Sequence, residues 1–404
     1  MSPDAPAPDA TSPAAAASAE GAGVPVSMEG NPNVQGVEPS PPPAAPEGGT
    51  PGMPELPAPV TPPARPSFVL GADLSSVQEA VENGAVFVDT DGAQKSLIAL
   101  LANHGFNYVR LRTFVEPTAP YGYASGDGCQ AKAEAYDDVA HTIEFAREVK
   151  AAGMGLLLDF HYSDTWADPG KQVIPRAWRG AQSVAALATQ VQAYTVDVLQ
   201  QMVAAGVHPD MVQVGNEITP GLLIHVPTAQ TNCFGSNSAP NPGVNGSAGN
   251  WDNLATLLRA GIAGVRQVDS TMRVMLHIEN FESERGVLDW VRNAQSRGVE
   301  FDVLGLSAYE QYQGPANAWR GTVQDLTVQL PDLSFAIAEY NPQRRLLNDI
   351  MHEVPAGRGL GTFFWEPTQS GDWGNSMFDR QGNTFTARAV DFAEYDQLRR
   401  DYGL

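Results

Sequence analysis

The chain has 404 residues and a formal net charge of −22 at pH 7, a length that allows one large α/β barrel with a tail or two to three average domains. An acidic chain of this kind repels nucleic acids and anionic membranes, so neither is expected as a partner, and neutral or cationic substrates remain open. No apolar run approaches the roughly 20 residues that a membrane span needs.

The first 66 residues differ in composition from the rest of the chain. Pro, Ala, Gly and Ser dominate them, and seven acidic residues stand against the single base Arg65. Such a segment buries too little apolar surface to offset the ordering of its backbone, so residues 1–66 are predicted to be a disordered linker before a catalytic domain at 67–404. A long Pro/Ala tether commonly joins an export signal to an exported domain. We therefore expect an extracellular or cell-surface-tethered monomer, although no signal peptide is visible in the chain.

From Phe68 onward, short apolar runs alternate with segments of helical period. The predicted strands cover residues 68–73, 107–112, 156–161, 210–217, 273–277, 301–309, 335–340 and 361–366. The main predicted helices cover residues 94–104, 136–152, 184–199, 254–265, 287–294, 323–330 and 386–400. Eight strand-helix pairs with nearly continuous apolar strands predict an α/β fold, a parallel (β/α)8 TIM barrel. A doubly wound open sheet is the alternative, but no GxGxxG motif or P-loop follows the first strand.

Polar side chains gather at the C-terminal ends of the predicted strands, where such a barrel places its active site. They are Arg110, Arg112, Asp159, His161, Glu217, His277, Tyr309, Glu339 and Trp365. Glu217 and Glu339 lie at the ends of the fourth and seventh strands. These strands are nearly opposite each other in the barrel, so we expect the two glutamates to face each other. Hydrolysis of a glycosidic bond with retention needs two carboxyl groups about 5 to 5.5 Å apart. We expect Glu339 to be the nucleophile and Glu217 the acid that later acts as base.

The other candidates are expected to bind substrate or to position this pair. Arg110, Asp159 and Asn216 are among the predicted substrate-binding residues. Arg110 is expected to keep Glu339 ionised, with a structural ion pair at the rim as the alternative. Asn216 is expected to hydrogen-bond a sugar 2-hydroxyl, unless it serves only the turn, and Asp159 is expected to orient His161. The remaining candidates for substrate contact, each of which could instead be structural, are His161, His277, Tyr309, Trp166, Trp178 and Trp365.

Two motifs carry a resemblance to a known family. The run DFHYSDTWADPGKQ at 159–172 is unusually specific, and VGNEIT at 214–219 supports it. With these segments the chain resembles the arabinogalactan endo-β-1,4-galactanases of glycoside hydrolase family 53, which are retaining (β/α)8 enzymes. The resemblance implies cleavage of internal β-1,4-galactosidic bonds in plant cell-wall galactan or arabinogalactan. It places the acid/base on Glu217 and the nucleophile on Glu339, and it implies no required cofactor.

The second half departs from the family pattern. After the sixth strand the family has a Trp-His pair, whereas this chain has Tyr312 and Gln313. The loop at 368–382 is shorter than in family members that bind calcium, although a structural calcium ion remains compatible with three oxygen-bearing side chains, Asp372, Asn375 and Asp379.

Three questions stay open at the level of sequence. The substrate could be a different β-linked polysaccharide, cleaved by the same chemistry, or the barrel could bind carbohydrate without cleaving it. Cys129 and Cys233 could form a disulfide between two loops or remain unrelated free thiols.

Overall fold

The computed structural model describes residues 67–125, 135–227, 238–241, 244–369 and 375–404. The strands, in chain order, are β1 (Val69–Asp73), β2 (Val86–Val88), β3 (Gln94–Lys95), β4 (Tyr108–Thr113), β5 (Gly155–Phe160), β6 (Met211–Val214), β7 (Gly221–Leu222), β8 (His225–Pro227), β9 (Ser238–Pro240), β10 (Gly246–Ser247), β11 (Arg273–Ile278), β12 (Val303–Ala308), β13 (Ser334–Tyr340), β14 (Gly359–Trp365), β15 (Phe378–Gln381) and β16 (Thr384–Ala387). The α-helices are α1 (Val77–Glu82), α2 (Leu97–Asn103), α3 (Val139–Ala151), α4 (Val184–Ala204), α5 (Trp251–Val268), α6 (Glu284–Gln295), α7 (Ala316–Gln329), α8 (Arg344–His352) and α9 (Ala389–Tyr402).

Eight of these strands close into a barrel in the order β1-β14-β13-β12-β11-β6-β5-β4. Every neighbouring pair in the barrel is parallel. The predicted (β/α)8 barrel is therefore confirmed, and the open-sheet alternative is wrong. All residues of β4 and β5 are buried, as expected for strands that are covered by helices outside and by side chains inside.

Apolar side chains fill the interior of the barrel below its C-terminal rim. One buried cluster contains Val69, Tyr108, Leu157, Met211, Met275, Val303, Ala336, Ala338, Leu360 and Phe363. Because these side chains fill the interior of the barrel, a polar site can form only above them, at the C-terminal ends of the strands.

Two predicted helices begin later than expected, because short strands occupy their first residues. Residues 94–95 form β3 against β2, and α2 starts after Ser96, whose hydroxyl accepts a hydrogen bond from the backbone N–H of Ala99. Near the C-terminus, β16 pairs with β2, so α9 starts at Ala389 rather than at residue 386. The resulting four-stranded sheet, β15-β16-β2-β3, joins segments far apart in sequence, and local patterns do not predict it.

Several predictions concern residues outside the described ranges. They include the linker at 1–66, the pairing of Cys129 with Cys233, and the contribution of Asp372 to a calcium site. Among the helices of the described residues, none combines the length and apolar character that crossing a membrane requires.

Candidate active site

Glu217 and Glu339 reach one cavity by different backbone routes. Glu339 lies within β13, whereas Glu217 lies in the turn after β6, where its φ is 48° and that of Gly215 is 84°. A Cβ atom at Gly215 would come within 2.7 Å of the Ile218 side chain, so this turn requires glycine. Both glutamates line a cavity of about 1120 Å³ at the C-terminal end of the barrel.

Arg110 is the centre of the hydrogen-bond network beneath this cavity. Its guanidinium donates to Asp73 Oδ2 (2.7 Å), Glu339 Oε1 (2.8 Å), Asp159 Oδ2 (2.7 Å), Asn216 Oδ1 (2.7 Å) and Gln213 Oε1 (3.1 Å). The expected pairing of Arg110 with Glu339 is thus present. Since all five guanidinium N–H groups have acceptors and the residue is 1% exposed, Arg110 has no donor left for a sugar. Its assignment as a substrate-binding residue is corrected to one of positioning.

A chain of hydrogen bonds connects Glu217 to the same network. Ser307 Oγ donates to Glu217 Oε1 at 2.6 Å, and His277 Nε2 lies 2.9 Å from Ser307 Oγ. On the other side of the ring, His277 Nδ1 lies 2.8 Å from Asn216 Oδ1 and 3.2 Å from Gln213 Nε2. Burial lowers the pKa of His277 well below its usual value, and Arg110 lowers it further, so the ring is neutral and carries one proton.

The single proton of His277 links this chain to the protonation of Glu217. When Glu217 is a carboxylate, Ser307 must donate to it and therefore accepts from His277 Nε2–H. The unprotonated Nδ1 then faces the oxygen of Asn216, and only the Gln213 amide can donate to it. When Glu217 is protonated it can donate to Ser307, Ser307 donates to Nε2, and Nδ1–H donates to Asn216. The direction of the hydrogen bonds in this chain therefore depends on whether Glu217 carries a proton.

The two glutamates have different electrostatic surroundings. Burial raises the pKa of Glu217 well above its ordinary value, and the negative charge of Glu339 raises it further. Burial also raises the pKa of Glu339, but Arg110 acts in the opposite direction. Glu217 is therefore the more readily protonated member of the pair, while Glu339 is the member with a cation in contact.

A second buried arginine fixes an aromatic wall of the cavity. Arg112 donates to Glu366 Oε1 at 2.8 Å and to Asp137 Oδ2 at 3.2 Å, and its guanidinium carbon lies 3.8 Å from the centre of the Trp166 ring. Glu366 also accepts hydrogen bonds from the backbone and the hydroxyl of Ser76. The cation thus holds the Trp166 ring by a cation–π contact and is itself held by carboxylates.

Aromatic residues of the cavity include three that the sequence predicted and one that it did not. Trp166 and Trp365 both line the cavity, with ring centres 6.5 Å apart, and the Tyr309 hydroxyl donates to Glu339 Oε2 at 3.1 Å. Tyr312, from the segment that departs from the family pattern, also lines the cavity and is 55% exposed. Trp178 is buried in the core against Tyr162 and Tyr194, so its predicted contact with sugar is wrong.

Three further predicted substrate contacts are replaced by positioning contacts. His277 and Asp159 are fully buried and do not line the cavity. His161 lines it, but its Nε2 lies 3.1 Å from Asp159 Oδ2 and its Nδ1 accepts from the backbone N–H of Ala167 at 2.8 Å. Asp159 therefore orients His161 as expected. Both ring nitrogens of each histidine are engaged, so neither offers a nitrogen to a sugar.

Sequence reasoning did not assign a role to Asp73, Gln213, Ser307 or Glu366. Each lies within one residue of the C-terminal end of a barrel strand. The two-residue period of a strand was a usable signal for Gln213, because it places this side chain on the same face as Glu217. No comparable local signal marks Ser307, because its importance depends on contacts with His277 and Glu217 from other strands.

The Asn216 side chain is held on both ends. Its oxygen accepts from Arg110, and its amide nitrogen donates to the carbonyl of Ala167 at 2.9 Å. Asn216 still lines the cavity, so a contact with a sugar hydroxyl stays a prediction.

Within the described ranges, no group of three or more His, Cys, Asp or Glu side chains is arranged to hold a metal ion. Of the three predicted calcium ligands, Asn375 and Asp379 are described and Asp372 is not. The calcium site therefore stays a prediction.

Comparisons with known proteins agree with this geometry. Residues 69–343 match the sequence model of glycosyl hydrolase family 53. The chain is 32% identical over 360 residues to an uncharacterised protein of Niallia circulans (78% of this chain, 91% of the relative). It is 30% identical to an endo-β-1,4-galactanase of Bacillus subtilis (74% of this chain, 70% of the relative). The family 53 catalytic domain from Ignisphaera aggregans superposes with a TM-score of 0.68 at 26% identity, covering 83% of this chain and 98% of that one.

Proposed function

The chain belongs to glycosyl hydrolase family 53, and on this basis we propose that it is an endo-β-1,4-galactanase that cleaves internal bonds of galactan or arabinogalactan with retention. The observation that carries the mechanism is the unequal environment of two glutamates in one cavity. Glu339 is paired with Arg110 at 2.8 Å, and the pKa of Glu217 is raised well above its ordinary value. A nucleophile and a proton donor need this difference.

In the proposed first step, a carboxylate oxygen of Glu339 attacks the anomeric carbon of the sugar. The bond to the glycosidic oxygen breaks, and Glu217 gives its proton to that oxygen as the leaving chain departs. Glu217 is then a carboxylate, which Ser307 stabilises through its hydrogen bond. The Tyr309 hydroxyl and Arg110 hold Glu339 in position during this step.

In the second step a water molecule attacks the same carbon from the side that the leaving chain vacated. Glu217 accepts the proton of that water, and the bond between the sugar and Glu339 breaks. The second displacement restores the original anomeric configuration and returns both glutamates to their starting states.

The decisive experiment compares wild type with Glu339→Gln on β-1,4-galactan. We expect the variant to lose at least about a thousandfold in kcat, because it cannot form the covalent intermediate. Fresh products of the wild type, followed by NMR, should show the β configuration first, and oligosaccharides should precede monosaccharide. Glu300→Gln is the matched control, because residue 300 is exposed outside the cavity. Unchanged hydrolysis in Glu339→Gln, or α-configured first products, would contradict the mechanism.

A second candidate function is retaining endo-hydrolysis of another β-linked polysaccharide. It is favoured by the segment around Tyr312 and Gln313, where the family has Trp-His. Gln313 is buried and accepts from the backbone N–H of Tyr309 at 2.9 Å, whereas Tyr312 is exposed and lines the cavity. A panel of galactan, arabinogalactan, mannan, xylan and glucan would distinguish the two. If instead the protein binds glycan and cleaves none, a carbohydrate-binding barrel is the answer.

The proposed setting is outside the cell or at its surface, with the protein acting as a monomer. A polysaccharide chain is too large to be taken up intact, which supports hydrolysis outside the cell. The Pro/Ala-rich composition of residues 1–66 supports a tether that precedes a catalytic domain at 67–404. Cell fractionation and the mass of the native protein in solution test these proposals directly.

A further inference from the structure

The cavity extends from the two glutamates to a β-hairpin outside the barrel. Strands β15 and β16 form this hairpin, and its residues Arg380, Asn383 and Phe385 line the cavity. The hairpin is fixed in place, because β16 pairs with β2 and the side-chain amide of Asn383 donates to the carbonyl of Asn83 at 2.9 Å. This end of the cavity is therefore a preformed wall, built from the four-stranded sheet rather than from the barrel.

Arg380 is the cation at this end, and its contacts restrict its orientation. Its guanidinium carbon lies 4.9 Å from the centre of the Phe385 ring, and its Nε donates to the carbonyl of Gly382 at 2.9 Å. The side chain is exposed, and no contact among the described residues engages its two terminal nitrogen atoms. Two terminal nitrogens of a guanidinium form the fork that binds a carboxylate through two parallel hydrogen bonds.

The other arginine and lysine side chains that line the cavity already have acidic partners. Arg110 and Arg112 are buried and both contact carboxylates. Lys171 Nζ lies 2.7 Å from Asp168 Oδ2. Among the described residues Arg380 has no carboxylate partner, although the whole chain carries a net charge of −22. Its positive charge therefore remains available to an anionic group of a ligand, which a neutral galactose unit does not provide.

The hairpin lies across the barrel from the strand that precedes Glu217. Three barrel strands separate β14, the strand before the hairpin, from β6 on either side. β14 is also the neighbour of β13, which carries Glu339. In the proposed reaction Glu217 protonates the leaving chain, and Glu339 bonds the other part of the substrate. Sugar units that reach the hairpin therefore belong to the part that Glu339 bonds.

We propose that Arg380 binds the carboxylate of a uronic acid unit of the polysaccharide, in the part of the chain that Glu339 bonds. The substrate class is then a galactan that carries acidic sugars. Asn83 and Asn383 are exposed at the same end of the cavity and can hydrogen-bond the hydroxyls of that unit. The inference rests on the proposed function, because it presumes that the cavity binds a galactan chain.

The test uses two polysaccharides that differ only in the carboxylate. One is a β-1,4-galactan that carries uronic acid units, and the other is the same preparation after its carboxyl groups are reduced to alcohols. Values of kcat/KM are measured for wild type, Arg380→Gln and Arg380→Lys at an ionic strength of about 0.15 M. The ratio of kcat/KM for the acidic substrate to that for the reduced one should fall about fivefold in Arg380→Gln. It should fall less in Arg380→Lys, because lysine keeps the charge and loses the fork.

Arg285→Gln is the matched control, because it removes the same charge from an exposed arginine that does not line the cavity. Its substrate ratio should stay within about 1.5-fold of wild type, since a distant exposed charge is screened at this ionic strength. An unchanged ratio in Arg380→Gln, or an equal fall in Arg285→Gln, would overturn the inference. A wild type that cleaves neither polysaccharide would instead contradict the proposed function.

Discussion

Ser307→Ala should move the alkaline limb of the pH profile upward. Ser307 donates to Glu217 at 2.6 Å, and this hydrogen bond favours the carboxylate form of Glu217 over the acid. A hydrogen bond to a charged group contributes about 1.5–3 kcal/mol, which corresponds to a shift of about 1–2 pKa units. Because Glu217 must be protonated to act as the acid, removing the donor raises its pKa and extends activity to higher pH.

The assay is the pH dependence of kcat/KM for a β-1,4-galacto-oligosaccharide. A dinitrophenyl galactoside serves as the second substrate, because its leaving group needs no proton and its profile does not depend on Glu217 as an acid. The shift should appear only with the oligosaccharide. Ser296→Ala is the control, since this serine is exposed and lies outside the cavity.

Ser307→Ala also breaks the chain to His277, so stability must be measured beside activity. His277 Nε2 loses its partner, which costs about 1–3 kcal/mol of unfolding free energy. An alkaline limb that stays in place or moves downward in a folded variant would refute the assignment of Glu217 as the proton donor held by this chain.

Three other perturbations test the surrounding network. Arg110→Lys should lower kcat/KM on galactan by more than about a hundredfold and lower the melting temperature, because a lysine cannot serve all five acceptors; wild-type kinetics would contradict this. Burial raises the pKa of Asp137 to about 7, so folding favours its protonated form, and stability should fall as pH rises from about 4 to 7. In Asp137→Asn, the melting temperature should decline less steeply over this pH range, and asparagine tolerates the φ of 65° at this position. An equally steep decline in the variant would contradict the raised pKa of Asp137. Trp178→Ala should cost about 3–5 kcal/mol in denaturant unfolding with little change in KM, whereas Trp166→Ala should raise KM, because only Trp166 lines the cavity.

The fold, and the position of the two candidate glutamates at one rim of it, were accessible from the sequence for a physical reason. Strands of a parallel barrel are buried on both faces, so each strand appears in the sequence as a nearly continuous apolar run. The end of that run marks the C-terminal rim of the barrel. Glu217 and Glu339 follow or end two such runs, and the barrel brings both into one cavity. Arg110 was recognisable in the same way, because an arginine at an inward position of a buried strand must have acidic partners.

The tertiary structure alone decided which polar residues face the cavity and which hold others in place. His277 and Trp178 have the residue types of sugar contacts, yet one is enclosed by Asn216 and Ser307 and the other packs in the core. Burial of a side chain depends on neighbours from distant segments, and the local hydrophobic pattern does not identify these neighbours. Residue type and hydrophobic period determine where each strand ends and which polar side chains lie at that end. The packing between strands determines which of these side chains face the cavity.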